Sequence, residues 1–191
     1  MRNKPVRPDD AAVLDAALHC VLAVGVRRTT LTDVARRAGV SRMTLYRRWP
    51  DLDALVADLM TRELLAVAGD GLGAAATDRA TLVDRVVDVL DRLRVHPLIR
   101  KIVDVDPDLL LPYLLHRRGR STDAFLRQLV QAVATAQVGG SVRAGDPAVL
   151  GRFLLLTGQA YVLSVAAVAG DMAPEQLTAE VRELIDRYLR P

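Results

Sequence analysis

With 191 residues, half of them apolar and only 12 Gly and 9 Pro, the chain is long enough to bury a core and too apolar to be disordered or fibrous. Its net charge of +3 is uneven: ten Lys and Arg against four Asp through Pro50 give +6, and the remaining 16 basic and 19 acidic residues give −3. That distribution suits a nucleic-acid reader joined to a second, mildly acidic body, while the single Cys20 excludes an internal disulfide and points to a reducing compartment.

The opening MRNKPVRPDD lacks the apolar run of a signal peptide, so a cytoplasmic protein is expected. Arg2, Lys4 and Arg7 form a basic arm, read either as a DNA-backbone contact or as a solvated end. Asp9 and Asp10 can cap a first helix to about Val24, with Leu14, Leu18, Val21 and Leu22 on one face and Gly25 as its stop. Cys20 lies inside that apolar pattern and reads as buried filler.

Residues 30–49, TLTDVARRAGVSRMTLYRRW, read as two short helices and a tight turn. Thr30 caps the first, with Asp33 as the acidic half of a capping box. Ala35 lets a neighbouring helix approach, and Gly39 takes positive φ at the turn without steric cost. Ser41 caps the second helix, whose Leu45 and Trp49 share the inward face. Its outward side chains are basic, hydroxylic or phenolic, which suits the major groove of DNA. Arg42 and Arg47 fit guanine O6 and N7, and Met43 fits a thymine methyl. Ser41, Thr44 and Arg48 complete the outward set, and Thr30 and Thr32 sit where hydroxyls meet phosphates. A solvated basic helix face is the plainer reading of such a segment, but caps, turn and basic face coincide here.

Pro50 ends the second helix, and Asp51 opens a fourth with Leu52, Leu55, Val56 and Leu59 inward. The Gly-rich residues 68–78 mark a boundary between a DNA-binding unit, 1–68, with its helix-turn-helix at about 31–50, and a second unit, 69–191. Leu82, Val83, Val86, Val87, Leu90 and Leu93 predict a helix to His96, and Pro97 starts a short one to about Val103. Asp106 and Pro107 predict a cap and first turn of a helix to about His116. A helix over about 121–137, a turn-rich stretch at 138–146 and helices at 147–169 and 174–189 complete the chain. No strand alternation occurs, so the class is all-α. Residues 153–170 carry no charge and approach membrane-spanning length, yet Thr157, Gln159 and Ser164 favour a helix packed between protein helices.

Catalytic and metal patterns fail. Asp104, Asp106 and Asp108 alternate like a calcium loop, but Leu109 and Leu115 stand where Gly and Glu are needed. His19, His96 and His116 lack ligand spacing. No enzyme, metal or cofactor is expected. The mostly aliphatic bundle between about Leu82 and Tyr161 could enclose a largely apolar small-molecule effector, for which the candidates are Arg100, Tyr113, His116, Gln128, Gln159 and Tyr161, each equally readable as a surface or interface residue. Leu150, Leu154, Gly158, Tyr161, Val165 and Ala169 form one apolar stripe, and Leu177, Val181, Leu184, Ile185 and Tyr188 a second. A monomer needs one such stripe for its own core.

Leu31, Thr32, Val34, Ala35, Ala38, Gly39, Val40, Ser41, Thr44, Leu45, Tyr46 and Trp49, followed by Pro50, Asp51, Ala54 and Leu55, resemble the TetR family of bacterial transcriptional regulators. The match spans about residues 9–60. The resemblance implies an all-helical dimer in which small DNA-binding domains hang from a larger ligand-binding body. It implies a repressor of a palindromic double-stranded operator, released by a small molecule. Tyr46 matches the family position whose phenol reaches a phosphate, and the last two helices match the family's four-helix dimer interface. Leu52 departs from the pattern, since the family usually places a phosphate-contacting Lys there. An effector-independent helical DNA-binding protein is the alternative.

Overall fold

A computed structural model describes residues 8–72, 76–110, 119–168, 170 and 172–191. Among them are nine α-helices and no strand: α1 (Pro8–Val24), α2 (Leu31–Ala38), α3 (Arg42–Arg48), α4 (Leu52–Leu72), α5 (Arg79–Val95), α6 (Pro97–Val105), α7 (Arg120–Val138), α8 (Pro147–Val168) and α9 (Pro174–Leu189). A 3-10 turn, Pro107–Leu109, follows α6. The helices form two compact units that interleave along the chain. The first is Met1–Glu63 with Pro97–Ser121, and the second is Leu64–His96 with Thr122–Pro191. A single cut at residue 68 therefore does not separate them, because Leu98 and Ile102 of α6 join the amino-terminal core.

In the first unit, Val13, Leu14, Ala17 and Val21 of α1 meet Leu31, Val34 and Ala35 of α2, Leu45 and Trp49, and Leu55 and Leu59 of α4. Gly25 ends α1 at φ +86°, and its N–H returns to the Val21 carbonyl at 2.8 Å. The next amide, Val26 N–H, donates to Asp106 Oδ2 at 2.7 Å. Asp106 is 3% exposed, and a Cβ on Gly25 would lie 2.7 Å from the same oxygen. The expected cap at Asp106 is therefore corrected. Its side chain makes no cap bond to the turn that follows but crosses to the α1–α2 corner. Among the described residues Pro107–Leu109 is helical there, and residues 111–118, which hold the rest of the expected helix with Tyr113 and His116, lie outside the described residues.

The expected helix break falls within 68–78 but is narrower, since α4 continues through Gly69 to Leu72 and α5 starts at Arg79. A helical Gly costs about 1 kcal/mol relative to Ala, and the burial of Ala68 with Leu64 and Val67 in the second core offsets it. Asp78 then caps α5, accepting from Thr81 N–H at 2.8 Å, and this bond holds its carboxyl below the usual range.

In the second unit, α5 buries the expected Leu82, Val83, Val86, Val87, Leu90 and Leu93. Gly151 and Gly158, seven residues apart and so on one face of α8, allow close approach on two sides. A Cβ on Gly151 would sit 2.9 Å from Val130 Cγ2 and 3.3 Å from Val130 N, and one on Gly158 would sit 2.7 Å from Leu90 Cδ2. Asp91 ties three helices together: Tyr161 Oη donates to its Oδ1 at 3.1 Å and Thr178 Oγ1 donates at 2.9 Å. Burial pushes the Tyr161 phenol above its ordinary pKa.

The Val130 main chain cannot yield as a side-chain end can, so Gly151→Ala forces α7 and α8 apart. It should destabilise the protein by about 1–3 kcal/mol, read as a lowered denaturation midpoint. Gly158→Ala, which meets only the end of Leu90, should cost less.

Candidate nucleic-acid interface

The turn and caps are built as the sequence requires. Thr30 Oγ1 accepts Asp33 N–H at 3.1 Å and donates to Asp33 Oδ2 at 2.5 Å. Gly39 has φ +68°, and the N–H groups of Gly39 and Val40 return to Arg36 and Ala35 carbonyls. Ser41 Oγ accepts Thr44 N–H at 3.1 Å and lies 2.8 Å from Thr44 Oγ1. Asp51 Oδ1 accepts Ala54 N–H at 2.7 Å and starts α4.

Seven residues make α3, and only Leu45 among them is buried. Trp49, its C-cap, is 2% exposed. Ser41, Arg42, Met43, Thr44, Tyr46, Arg47 and Arg48 are all exposed, Met43 to 77% and Tyr46 to 49%. One face of the helix is thus anchored and the rest is presented to solvent. Among the described residues, Arg42 and Arg47 form no ion pair, which leaves both guanidinium groups available to an anion or a base edge.

Arg48 is different. Its Nε donates to Asp10 Oδ2 at 3.2 Å, its Nη2 lies 3.7 Å from Asp58 Oδ2, and its guanidinium stands 4.9 Å over the Trp49 ring. Grouped with the DNA-contacting residues from sequence, Arg48 is exposed but also engaged by contacts within its own unit. Thr30 likewise commits its hydroxyl proton to Asp33, whereas Thr32 is half-buried at the start of α2. Asp10 and Asp58 carried no sequence signal as partners of this helix, because nothing in the spacing of residues 10, 48 and 58 marks a shared site. Leu52 is half-buried against the first core and carries no cationic group.

The effector candidates do not converge among the described residues. Arg100 belongs to the first unit, is exposed and lies 3.9 Å from Asp104. Gln159 is half-buried on α8, and the Tyr161 hydroxyl is bonded to Asp91 and Thr178. Gln128 on α7 stands apart, for its Oε1 is buried without a hydrogen-bond partner. Arg2, Lys4 and Arg7 lie outside the described residues.

The apolar stripes need a correction. Leu150, Leu154, Gly158 and Val165 of α8, with Val181 and Ile185 of α9, are buried within a single chain. Ala169 lies outside the described residues. The uncovered face of α8 holds Val149, Phe153, Leu156 and Val168, exposed to between 46% and 64%, and Leu184 on α9 is 53% exposed. Leu177 and Tyr188 are half-buried, with Tyr188 4.5 Å from the Phe153 ring. Because α8 is apolar all round, periodicity alone does not choose its core face.

A capped pair of helices presenting a free, partly basic face from a small bundle defines the class: a helix-turn-helix DNA-binding protein. Residues 13–59 match the family model for bacterial regulatory proteins of the tetR family. An uncharacterised HTH-type transcriptional regulator of Mycobacterium bovis is 37% identical over 177 residues, covering 93% of this chain and 92% of that protein. In fold, the chain is similar to the TetR family repressor AlkX of Dietzia sp., at TM-score 0.70 and 21% identity over 97% of both chains. It is also similar to the regulator FadR of Bacillus subtilis in complex with stearoyl-CoA, at TM-score 0.62 and 15% identity, covering 94% of this chain and 99% of that one. The chain belongs to the TetR family of helix-turn-helix transcriptional regulators.

Removing the Ser41 hydroxyl leaves the Thr44 amide without its cap. Ser41→Ala should cost about 1 kcal/mol of stability and weaken DNA binding, measured by chemical denaturation and by titration with labelled operator.

Proposed function

We propose that the protein is a cytoplasmic, homodimeric repressor that binds a palindromic operator through α3 and releases it when a small molecule binds the second unit. The observation that carries the reading is the free outward face of α3, where Arg42, Met43, Tyr46 and Arg47 are exposed above the buried Leu45 and Trp49. Arg42 and Arg47 are the base-reading pair, Met43 offers an apolar contact to thymine, and Tyr46 and the Ser41–Thr44 hydroxyls serve phosphates.

An effector is supported by two facts. A regulator of the same fold is described with stearoyl-CoA bound, and the buried Gln128 Oε1 lacks a donor that a ligand hydroxyl or amide would supply. The core of the second unit is otherwise aliphatic, which favours a largely apolar ligand with a few polar groups. Dimerisation is supported by the uncovered face of α8. Of its most apolar 18-residue window only 28% is buried within the chain, and contiguous apolar exposure of this kind marks an interface. The interface then uses Leu184, the exposed member of the expected second stripe, with Val149, Phe153 and Leu156 in place of the stripe residues buried within the chain.

Enrichment of random DNA by the purified protein should return a palindrome, with half-sites about one helical turn or slightly more apart. A duplex without two-fold symmetry would count against the dimeric reader. Combining Tyr46→Ala with Arg47→Ala should weaken operator binding about a hundredfold, since a good base contact is worth about 1–3 kcal/mol. Binding as tight as the parent's would refute the assignment of α3. Leu156→Glu should yield a monomer by light scattering without lowering helix content.

A further inference from the structure

We propose that Asp58 is the positioning residue that sets the angle of the recognition helix, and that Arg120 tunes this angle by sharing the same carboxylate. The inference rests on the reading of α3 as the helix that meets the operator.

Three donors gather on this carboxylate. Trp49 Nε1 donates to Asp58 Oδ2 at 2.9 Å. Arg48 Nη2 lies 3.7 Å from the same oxygen, while its Nε is held by Asp10 at 3.2 Å. Arg120 Nη2, on the first residue of α7, lies 2.6 Å from Oδ1. The side chain of Asp58 is 17% exposed, so little water competes for it. The contacts are attractive and draw on one charge, so a carboxylate that turns toward Arg120 lengthens its hydrogen bond from Trp49 and loosens its ion pair with Arg48.

The far end of α3 has few other restraints. Ser41 fixes its start and Leu45 its middle, whereas Trp49 anchors its exit. The helix is a lever about 10 Å long, and Tyr46 and Arg47 stand next to the anchored end. A small displacement of the indole therefore moves the groups that face DNA. Arg48 belongs to this clamp, lying over the Trp49 ring between two carboxylates. The Arg120 side chain is 67% exposed, so its pair adds little to stability. Its effect is on where the carboxylate sits.

Trp49 is the chain's sole tryptophan, so intrinsic fluorescence of the full-length protein reports on this contact directly. Asp58→Asn keeps shape and an acceptor oxygen but removes the charge. It should shift Trp49 emission and weaken binding to the enriched operator about tenfold, equal to about 1.4 kcal/mol. The slope of log affinity against log salt should stay at the parent value, because no phosphate contact is lost. Arg48→Gln should behave alike. Arg120→Gln should shift the emission and change affinity about two- to threefold, a fraction of the roughly tenfold that 1.4 kcal/mol represents, and Arg120→Lys should restore both.

Parent-like affinity and emission in Asp58→Asn would overturn the proposal. A salt slope lowered by about one unit in Arg48→Gln would make Arg48 a phosphate contact and remove it from the clamp. Unchanged emission and affinity in Arg120→Gln would overturn the tuning by Arg120. Should Asp58→Asn fail to fold by circular dichroism, the Arg48 and Arg120 variants decide, and parent-like behaviour in both overturns the proposal. The Tyr46 and Arg47 substitutions judge the reading of α3 separately, while Trp49 emission judges the clamp with no DNA present.

Discussion

A helix of seven residues does not hold itself. Isolated helices shorter than about 12 residues are marginal in water, so the conformation of α3 is imposed by what touches it. Those contacts are few: the Ser41 cap, the buried Leu45, the pairs of Arg48 with Asp10 and Asp58, and the Trp49 exit bonded to Asp58. They leave six of the seven helical residues exposed to solvent. The small interior of the first unit serves this end. Its apolar residues from α1, α2, α4 and α6 converge beneath one short helix, and its polar contacts stop that helix from sliding.

The α1–α2 corner is held by a comparable device. The Val26 amide at the end of a left-handed Gly25 finds no helical partner and would be costly if buried unpaired. Asp106 supplies the acceptor from 80 residues further along the chain, and Gly25 leaves room for it. Arg27 adds an ion pair to Asp108 and approaches Asp106 at 3.8 Å. The start of the helix-turn-helix is therefore fixed by the end of α6, which explains why residues beyond position 96 return to the amino-terminal unit.

Local chemistry was legible in the sequence and long-range chemistry was not. Thr30 with Asp33, Gly39, Ser41 and Asp51 form caps and turns whose partners lie within a few residues, and all of them occur as expected. The stripe on α5 was readable because polar residues interrupt it. On α8 hydrophobic residues run around the whole circumference, and only the neighbours decide which face is core. Gly151 and Gly158 settle that choice by accepting Val130 and Leu90. Asp106 shows the limit from the other side. Aspartate before proline is a sound cap signal, yet a buried amide elsewhere in the fold outcompeted the local bond.

The charge count carries the same lesson to function. Ten basic residues through Pro50 suggest a broadly positive unit, but the fold spends several of them internally. Arg27 is paired with Asp108, Arg36 with Asp33, and Arg48 with Asp10 and Asp58, while Arg28 returns to the Val24 carbonyl. Two of these acids, Asp58 and Asp108, lie beyond the basic stretch, so a sum by sequence segment cannot anticipate the neutralisation. What remains unpaired on α3 is Arg42 and Arg47, at its first and sixth positions. Exposed charges within a Debye length act together on a polyanion, and among the described residues Arg28 and Arg37 keep an uncancelled charge as Arg42 and Arg47 do. Charge by itself would bind any phosphate backbone, so sequence has to be read by side chains that reach base edges.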